Sequence, residues 1–77
     1  MTEVEFIDIF KGNLKSLMDE VGYNQQELAQ EAKIDQSTIS KYLNGTRMPS
    51  VRALNNISIA LNCTIDELIG NSMDYIW

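Results

Sequence analysis

Apolar residues recur along this chain at spacings of three and four, with polar positions between them, and most such runs are preceded by a residue that starts helices. Ile7, Phe10, Leu14, Leu17, Met18 and Val21 make the first run. It predicts a helix from about Glu3 to Val21, opened by a Thr2/Glu5 capping box and stopped by Gly22. Asn24 with Glu27 opens a second helix through about Ala32, which turns Leu28, Ala29 and Ala32 inward. Asp35 is expected to cap a third, with Ile39, Tyr42 and Leu43 inward and Asn44-Gly45 closing it. Pro49 and Ser50 start a fourth helix whose buried stripe reads Val51, Leu54, Ile57, Ala60 and Leu61. Thr64 with Glu67 opens a short fifth helix carrying Ile65, Leu68 and Ile69, with Gly70 at its end. No stretch reads as a strand, so the fold class is all-α, with the five helices in one domain over residues 1–70 and an apolar tail at 71–77.

Composition narrows the functions. A chain of 77 residues with 44% hydrophobic content supports one small core. With one cysteine and no histidine, an internal disulfide is impossible and a Cys/His zinc site has almost nothing to build on. No nucleophile–base pair can be assembled either, so no catalytic residue, metal or cofactor is expected and the protein is read as a binder rather than an enzyme. The apolar runs are a few residues long, too short to span a membrane, and MTEVEFIDIF carries acids where a signal peptide carries bases. The expectation is a soluble, cytoplasmic protein.

Charge is unevenly spread. The net charge is −5, but residues 33–52 hold Lys33, Lys41, Arg47 and Arg52 against Asp35 alone, a local balance of +3. Residues 1–32 hold two lysines against seven acids, and residues 53–77 hold three acids and no base. The positive segment coincides with the second and third helices and the loop after them. Once Ile39, Tyr42 and Leu43 are turned inward, the third helix is left with Gln36, Ser37, Thr38, Ser40 and Lys41 outside. Short polar side chains at the leading end of a helix suit entry into the major groove of DNA. Gln pairs with an adenine edge, Ser and Thr adapt, and Lys reaches guanine or a phosphate. Gln25 stands at the start of the preceding helix, where amide groups and the helix dipole favour a phosphate, and Arg47 lies in the loop beyond.

From about Leu14 to Ile69 the chain resembles the Xre-type, lambda-repressor-like helix-turn-helix family. The residues that carry the resemblance are Gly22-Tyr23-Asn24-Gln25, Glu27-Leu28-Ala29, Ala32, Gln36-Ser37-Thr38-Ile39-Ser40, Asn44-Gly45, Pro49-Ser50, Leu61-Asn62 and Asp66-Glu67-Leu68. The resemblance implies a compact five-helix DNA-binding domain with its helix-turn-helix in the second and third helices. It further implies a transcriptional regulator, a repressor, that binds double-stranded DNA as a dimer on a near-palindromic operator. Its base-reading positions fall on Gln36, Ser37, Thr38 and Lys41, and its phosphate-contacting positions on Gln25, Asn44, Thr46 and Arg47. Two departures stand out. The turn between the paired helices commonly carries Gly and here carries Lys33, and a frequent Arg–Glu ion pair between the first and third helices is replaced by Met18 and Leu43.

Some apolar residues fall outside these stripes. Phe6 and Ile9 lie off the main face of the first helix, and Ile59 sits among Asn55, Asn56 and Asn62. Ile59, Ile65, Ile69 and the tail Met73-Asp74-Tyr75-Ile76-Trp77 form a candidate homodimer interface. Cys63 aligns with a buried small apolar position and reads as a structural thiol. The competing reading is a protein-interaction module of the same fold, such as an antitoxin or accessory factor, but such a protein has no need for the Gln25/Gln36/Lys41/Arg47 surface.

Overall fold

The computed structural model describes residues 2–70, and within them every regular element is a helix: α1 (Glu3–Val21), α2 (Gln25–Ala32), α3 (Gln36–Asn44), α4 (Val51–Leu61) and α5 (Ile65–Ile69). The apolar tail at 71–77 lies outside the described residues. Helix starts follow the capping residues. Thr2, Asn24, Ser50 and Thr64 each accept a hydrogen bond from the backbone amide three residues on, and Asn24/Glu27 and Thr64/Glu67 form complete capping boxes. Asp35 holds the N-cap position of α3 but does not cap it through its side chain, contrary to expectation; its carboxylate accepts from the Ser37 hydroxyl instead.

Every helix ends on a residue in the left-handed region, and three of these are glycines. The two others are Lys33 at φ +56° and Asn62 at φ +52°. Lys33 stands where glycine is common, so the turn between α2 and α3 keeps its geometry at a cost of about 1–2 kcal/mol. Gly70 is constrained on two counts: its φ is +64°, and a β-carbon there would come within 2.8 Å of Ile9 Cγ2.

All five helices meet in one core. Phe10 and Leu14 of α1, Leu28 of α2, Ile39 of α3, Ile57 of α4 and Leu68 of α5 are completely buried. Helix α1 packs against α3 and α5, while α2 packs against α3 and α4. The rings of Phe10 and Tyr42 meet edge to face with centroids 5.6 Å apart, which ties α1 to the third helix. Asn13 Nδ2 donates to the Leu68 carbonyl at 3.0 Å and so satisfies an orphan acceptor in the last turn of α5.

The buried stripes differ from the pattern at a few positions. Val51 is 80% exposed and Val21 is 43% exposed, because each is at the end of its helix and points past the core. On α4 the buried positions also include Ala53 and Ser58. The Ser58 hydroxyl donates to the Asn55 carbonyl at 2.8 Å, so it can be buried without an unmet donor. Phe6 packs against the core and so is not spare surface. Ile69 also packs against the core and Ile65 is half-buried, whereas Ile59 is 71% exposed. Cys63 is half-buried against the core; burial pushes its thiol above the usual value and the Glu67 carboxylate pushes it further the same way.

Candidate nucleic-acid interface

The α2–turn–α3 unit is held from behind. The Ile34 amide donates to the Ala29 carbonyl at 3.0 Å, closing the end of α2, and the Thr38 and Ile39 amides donate to the Asp35 carbonyl at 3.0 and 3.1 Å, opening α3. Burial of Ile39 and Tyr42 then sets the roll of α3 about its axis. With 3.6 residues per turn, Ser37, Lys41 and Asn44 run down the middle of the opposite face, flanked by Gln36 and Ser40 on one side and Thr38 on the other. Gln36, Ser37, Lys41 and Asn44 are exposed, and Thr38 and Ser40 are half-buried.

Two hydroxyls on this surface are already committed. The Ser37 proton is given to Asp35, which leaves the Ser37 oxygen to act as an acceptor. The Thr46 hydroxyl and its own amide both donate to the Lys41 carbonyl, at 3.3 and 3.0 Å, so Thr46 closes off the end of α3. A phosphate, which only accepts, would have to turn the Thr46 hydroxyl away from Lys41.

Gln25 is half-buried at the first position of α2. The capping box and the Leu28 amide account for the bonds around Asn24, and the amides of Gln25 and Gln26 project off the helix end without a partner among the described residues. An open cleft of about 460 Å³ beside Gln25 is lined by Lys15, Met18, Asp19, Tyr23, Asn24 and Leu43. Met18 and Leu43 thus line one cleft between α1 and α3, an apolar pair at the positions where the resemblance led one to look for an ion pair.

Arg47 is exposed in the loop after α3, close enough to Tyr42 for its charge to be felt by the phenol. Burial raises the Tyr42 phenol above its ordinary value and the Arg47 guanidinium draws it part of the way back. A second open cleft, lined by Lys33, Ile34, Tyr42, Ser50, Arg52, Ala53 and Asn56, holds two cations and no acid. The structure therefore places Gln36, Ser37, Thr38 and Lys41 on the outer side of α3, Gln25 at the start of α2, and Asn44, Thr46 and Arg47 at the exit of α3.

Two cations not read from the sequence as part of this surface also reach it. Lys15 lines the cleft with Gln25, and Lys11 Nζ lies 3.7 Å from the position a β-carbon on Gly45 would take. Both sit in the acidic first third of the chain, and only their spacing of four residues, which puts them on one side of α1, hinted at a shared role.

A family model described as helix-turn-helix matches residues 14–68 of the chain, well over half its length. No curated relative and no solved structure matches it. No helix among the described residues is long and apolar enough to cross a membrane.

Proposed function

Because the chain belongs to the Xre-type, lambda-repressor-like helix-turn-helix family, we propose that it is a sequence-specific transcriptional regulator, a cytoplasmic repressor that reads the major groove of double-stranded DNA with α3. The observation that carries this reading is the outer side of α3. Two buried anchors fix its roll, and a row of short polar side chains faces out with Lys41 among them. Gln36, Ser37, Thr38 and Lys41 meet base edges. Gln25 with the free amides of α2, and Asn44, Thr46 and Arg47 beyond α3, hold the backbone on either side. The protein acts as a homodimer through Ile59, Ile65, Ile69 and the tail. Ile59 is the most exposed of the three isoleucines and would form the centre of the contact.

The test is selection of binding sites from a random duplex pool, followed by titration of the enriched site against scrambled DNA. A two-fold motif with half-sites about 34 Å apart, bound at least ~10³ tighter than scrambled DNA, is expected. Gln36→Ala should cost about 1–3 kcal/mol at one base pair and relax preference there, while Arg47→Ala should weaken all sequences alike and lower the salt slope by about 1. Equal loss on selected and scrambled DNA for Gln36→Ala would remove that residue from base reading. Failure to enrich any motif would leave the acidic surface and Ile59 as the working parts, with a protein as the partner.

A further inference from the structure

We propose that the cleft between the α2–α3 turn and the start of α4 is a site for a small organic phosphate monoester, held by Lys33, Arg52 and the Tyr42 hydroxyl. Such a site gives the domain a small-molecule ligand, which DNA binding does not require. The cleft measures about 470 Å³, and its two charged side chains, Lys33 and Arg52, are both cations. Ile34 and Ala53 add an apolar wall, so the space suits an anionic head on a small apolar body.

Tyr42 is the side chain that points to a ligand. It is 3% exposed and lines this cleft. Its hydroxyl makes no hydrogen bond among the described residues, where the phenol meets only the Phe10 ring and the field of Arg47. No sealed side-chain oxygen or nitrogen among those residues lacks a partner, so the Tyr42 hydroxyl lies at the small opening the ring retains. Burial holds the phenol in its protonated form, ready to donate, and only an occupant of the cleft can accept from it.

The start of α4 supplies a second set of donors. The Ser50 hydroxyl and carbonyl take the amides of Ala53 and Leu54, which leaves the amides of Val51 and Arg52 without a partner among the described residues. This helix is eleven residues long. Its dipole adds about half a positive charge to the two cations. A phosphate monoester carries about −1.5 to −2 at neutral pH, so it matches that field better than a carboxylate does. The flat Arg52 guanidinium can also bond two phosphate oxygens at once.

A DNA phosphate would be a simpler occupant. However, Tyr42 is turned to the core, away from the row of Ser37, Lys41 and Asn44, and the cleft is reached from the Tyr42 side. Lys33 also stands at the opposite end of α2 from Gln25. The cleft therefore opens beside the reading helix, on a side that its base-reading row does not face.

The experiment titrates the isotope-labelled full chain with phenyl phosphate, inorganic phosphate and benzoate at low chloride, and follows the backbone amides by NMR. Phenyl phosphate should move the amides of Lys33, Val51 and Arg52 together and saturate. Inorganic phosphate lacks the apolar body and benzoate the second charge, so each should bind at least about tenfold more weakly. Arg52→Gln and Tyr42→Phe should each weaken phenyl phosphate about 10- to 100-fold, with thermal unfolding confirming that the variants fold. If Tyr42→Phe fails to fold, Lys33→Gln and Arg52→Gln carry the test. Wild-type affinity in any folded variant would overturn the site, as would shifts that spread over Lys11, Lys15 and Lys41 without saturating. Inorganic phosphate or benzoate binding as tightly as phenyl phosphate would overturn the assignment to an organic monoester. Duplex binding by Arg52→Gln is measured alongside as salt is raised, and its slope should equal that of the wild type. A slope lowered by about 0.9 on selected and scrambled DNA alike would hand the cleft to a backbone phosphate and overturn the proposal. A wild type that binds no duplex would overturn the DNA reading alone, because the phenyl phosphate titration is made without DNA.

Discussion

Lys33 offers a direct test of how the helix-turn-helix is built. It ends α2 at φ +56°, ψ +43°, in the centre of the left-handed well, and its amide donates to the Ala29 carbonyl. An L-residue with a β-carbon pays about 1–2 kcal/mol there. Glycine removes that cost but loses about 0.4–1 kcal/mol to the greater freedom of the unfolded chain. Lys33→Gly should therefore stabilise the protein by about 0.5–1 kcal/mol. With a urea slope of about 1 kcal/mol per molar for so small a domain, the unfolding midpoint should rise by about 0.5–1 M. Lys33 also shares a cleft with Arg52, so loss of its charge could stabilise the fold by itself. Lys33→Ala separates the two effects, because it removes the charge and keeps the β-carbon. Alanine should gain less than glycine. Equal gains would assign the effect to charge, and a glycine variant no more stable than wild type would refute the argument from backbone strain.

Two further outcomes follow from particular side chains. The Tyr42 phenol is raised by burial, so the neutral form is the one the fold favours; this contribution is complete below the unfolded value of about 10 and is lost as pH rises through the folded value. Tyr42→Phe should accordingly show a shallower fall in stability than wild type in urea melts above about pH 10, and an identical fall would place the alkaline sensitivity elsewhere. Ile59→Lys should leave monomer stability nearly unchanged, since the side chain is 71% exposed. In a two-fold contact that side chain is lost twice, about 3–6 kcal/mol, so the dimer should weaken about 10²- to 10⁴-fold in sedimentation, and an undiminished dimer would move the interface away from α4.

Much of the fold is legible along the chain because its signals are local. Thr2, Asn24, Ser50 and Thr64 mark four helix starts through bonds to residues only three positions away, and Gly22, Gly45 and Gly70 mark three ends through their own backbone freedom. Asp35 shows where the local signal fails. The residue type and position suit a cap, but Ser37 offers a hydroxyl that competes for the carboxylate. The stripe on α4 misplaces Val51 because a 3.6-residue period says which residues share a face and does not say where the helix stops touching its neighbours. Ala53 and Ser58 escape the apolar pattern because they are small. Their size fits the packing of α4 against α2, which buries Ala29 and Ala32. The outer side of α3 could be read in advance, since it is what remains after the anchors are buried. The positions of Lys11 and Lys15 could not, because they depend on how α1 crosses α3 and the start of α2.

That crossing also bears on how a chain of net charge −5 would approach a polyanion. The charges are sorted by location. Glu20, Asp66 and Glu67 line a cleft between α1 and α5 that holds no base, while Lys33 and Arg52 line one that holds no acid. On the proposed reading, the acids act at long range and Lys41 and Arg47 at contact. At physiological salt, charges more than about 8–10 Å from the DNA are largely screened, so the acidic side costs little once the interface has formed. At low salt the same acids repel DNA that is not yet docked, and steering then favours approaches that present α3 and the loop that carries Arg47. A basic protein of this size would cling to any duplex. This one should bind random DNA weakly and rely on base contacts, so its specificity ratio should exceed what its count of phosphate contacts alone would suggest.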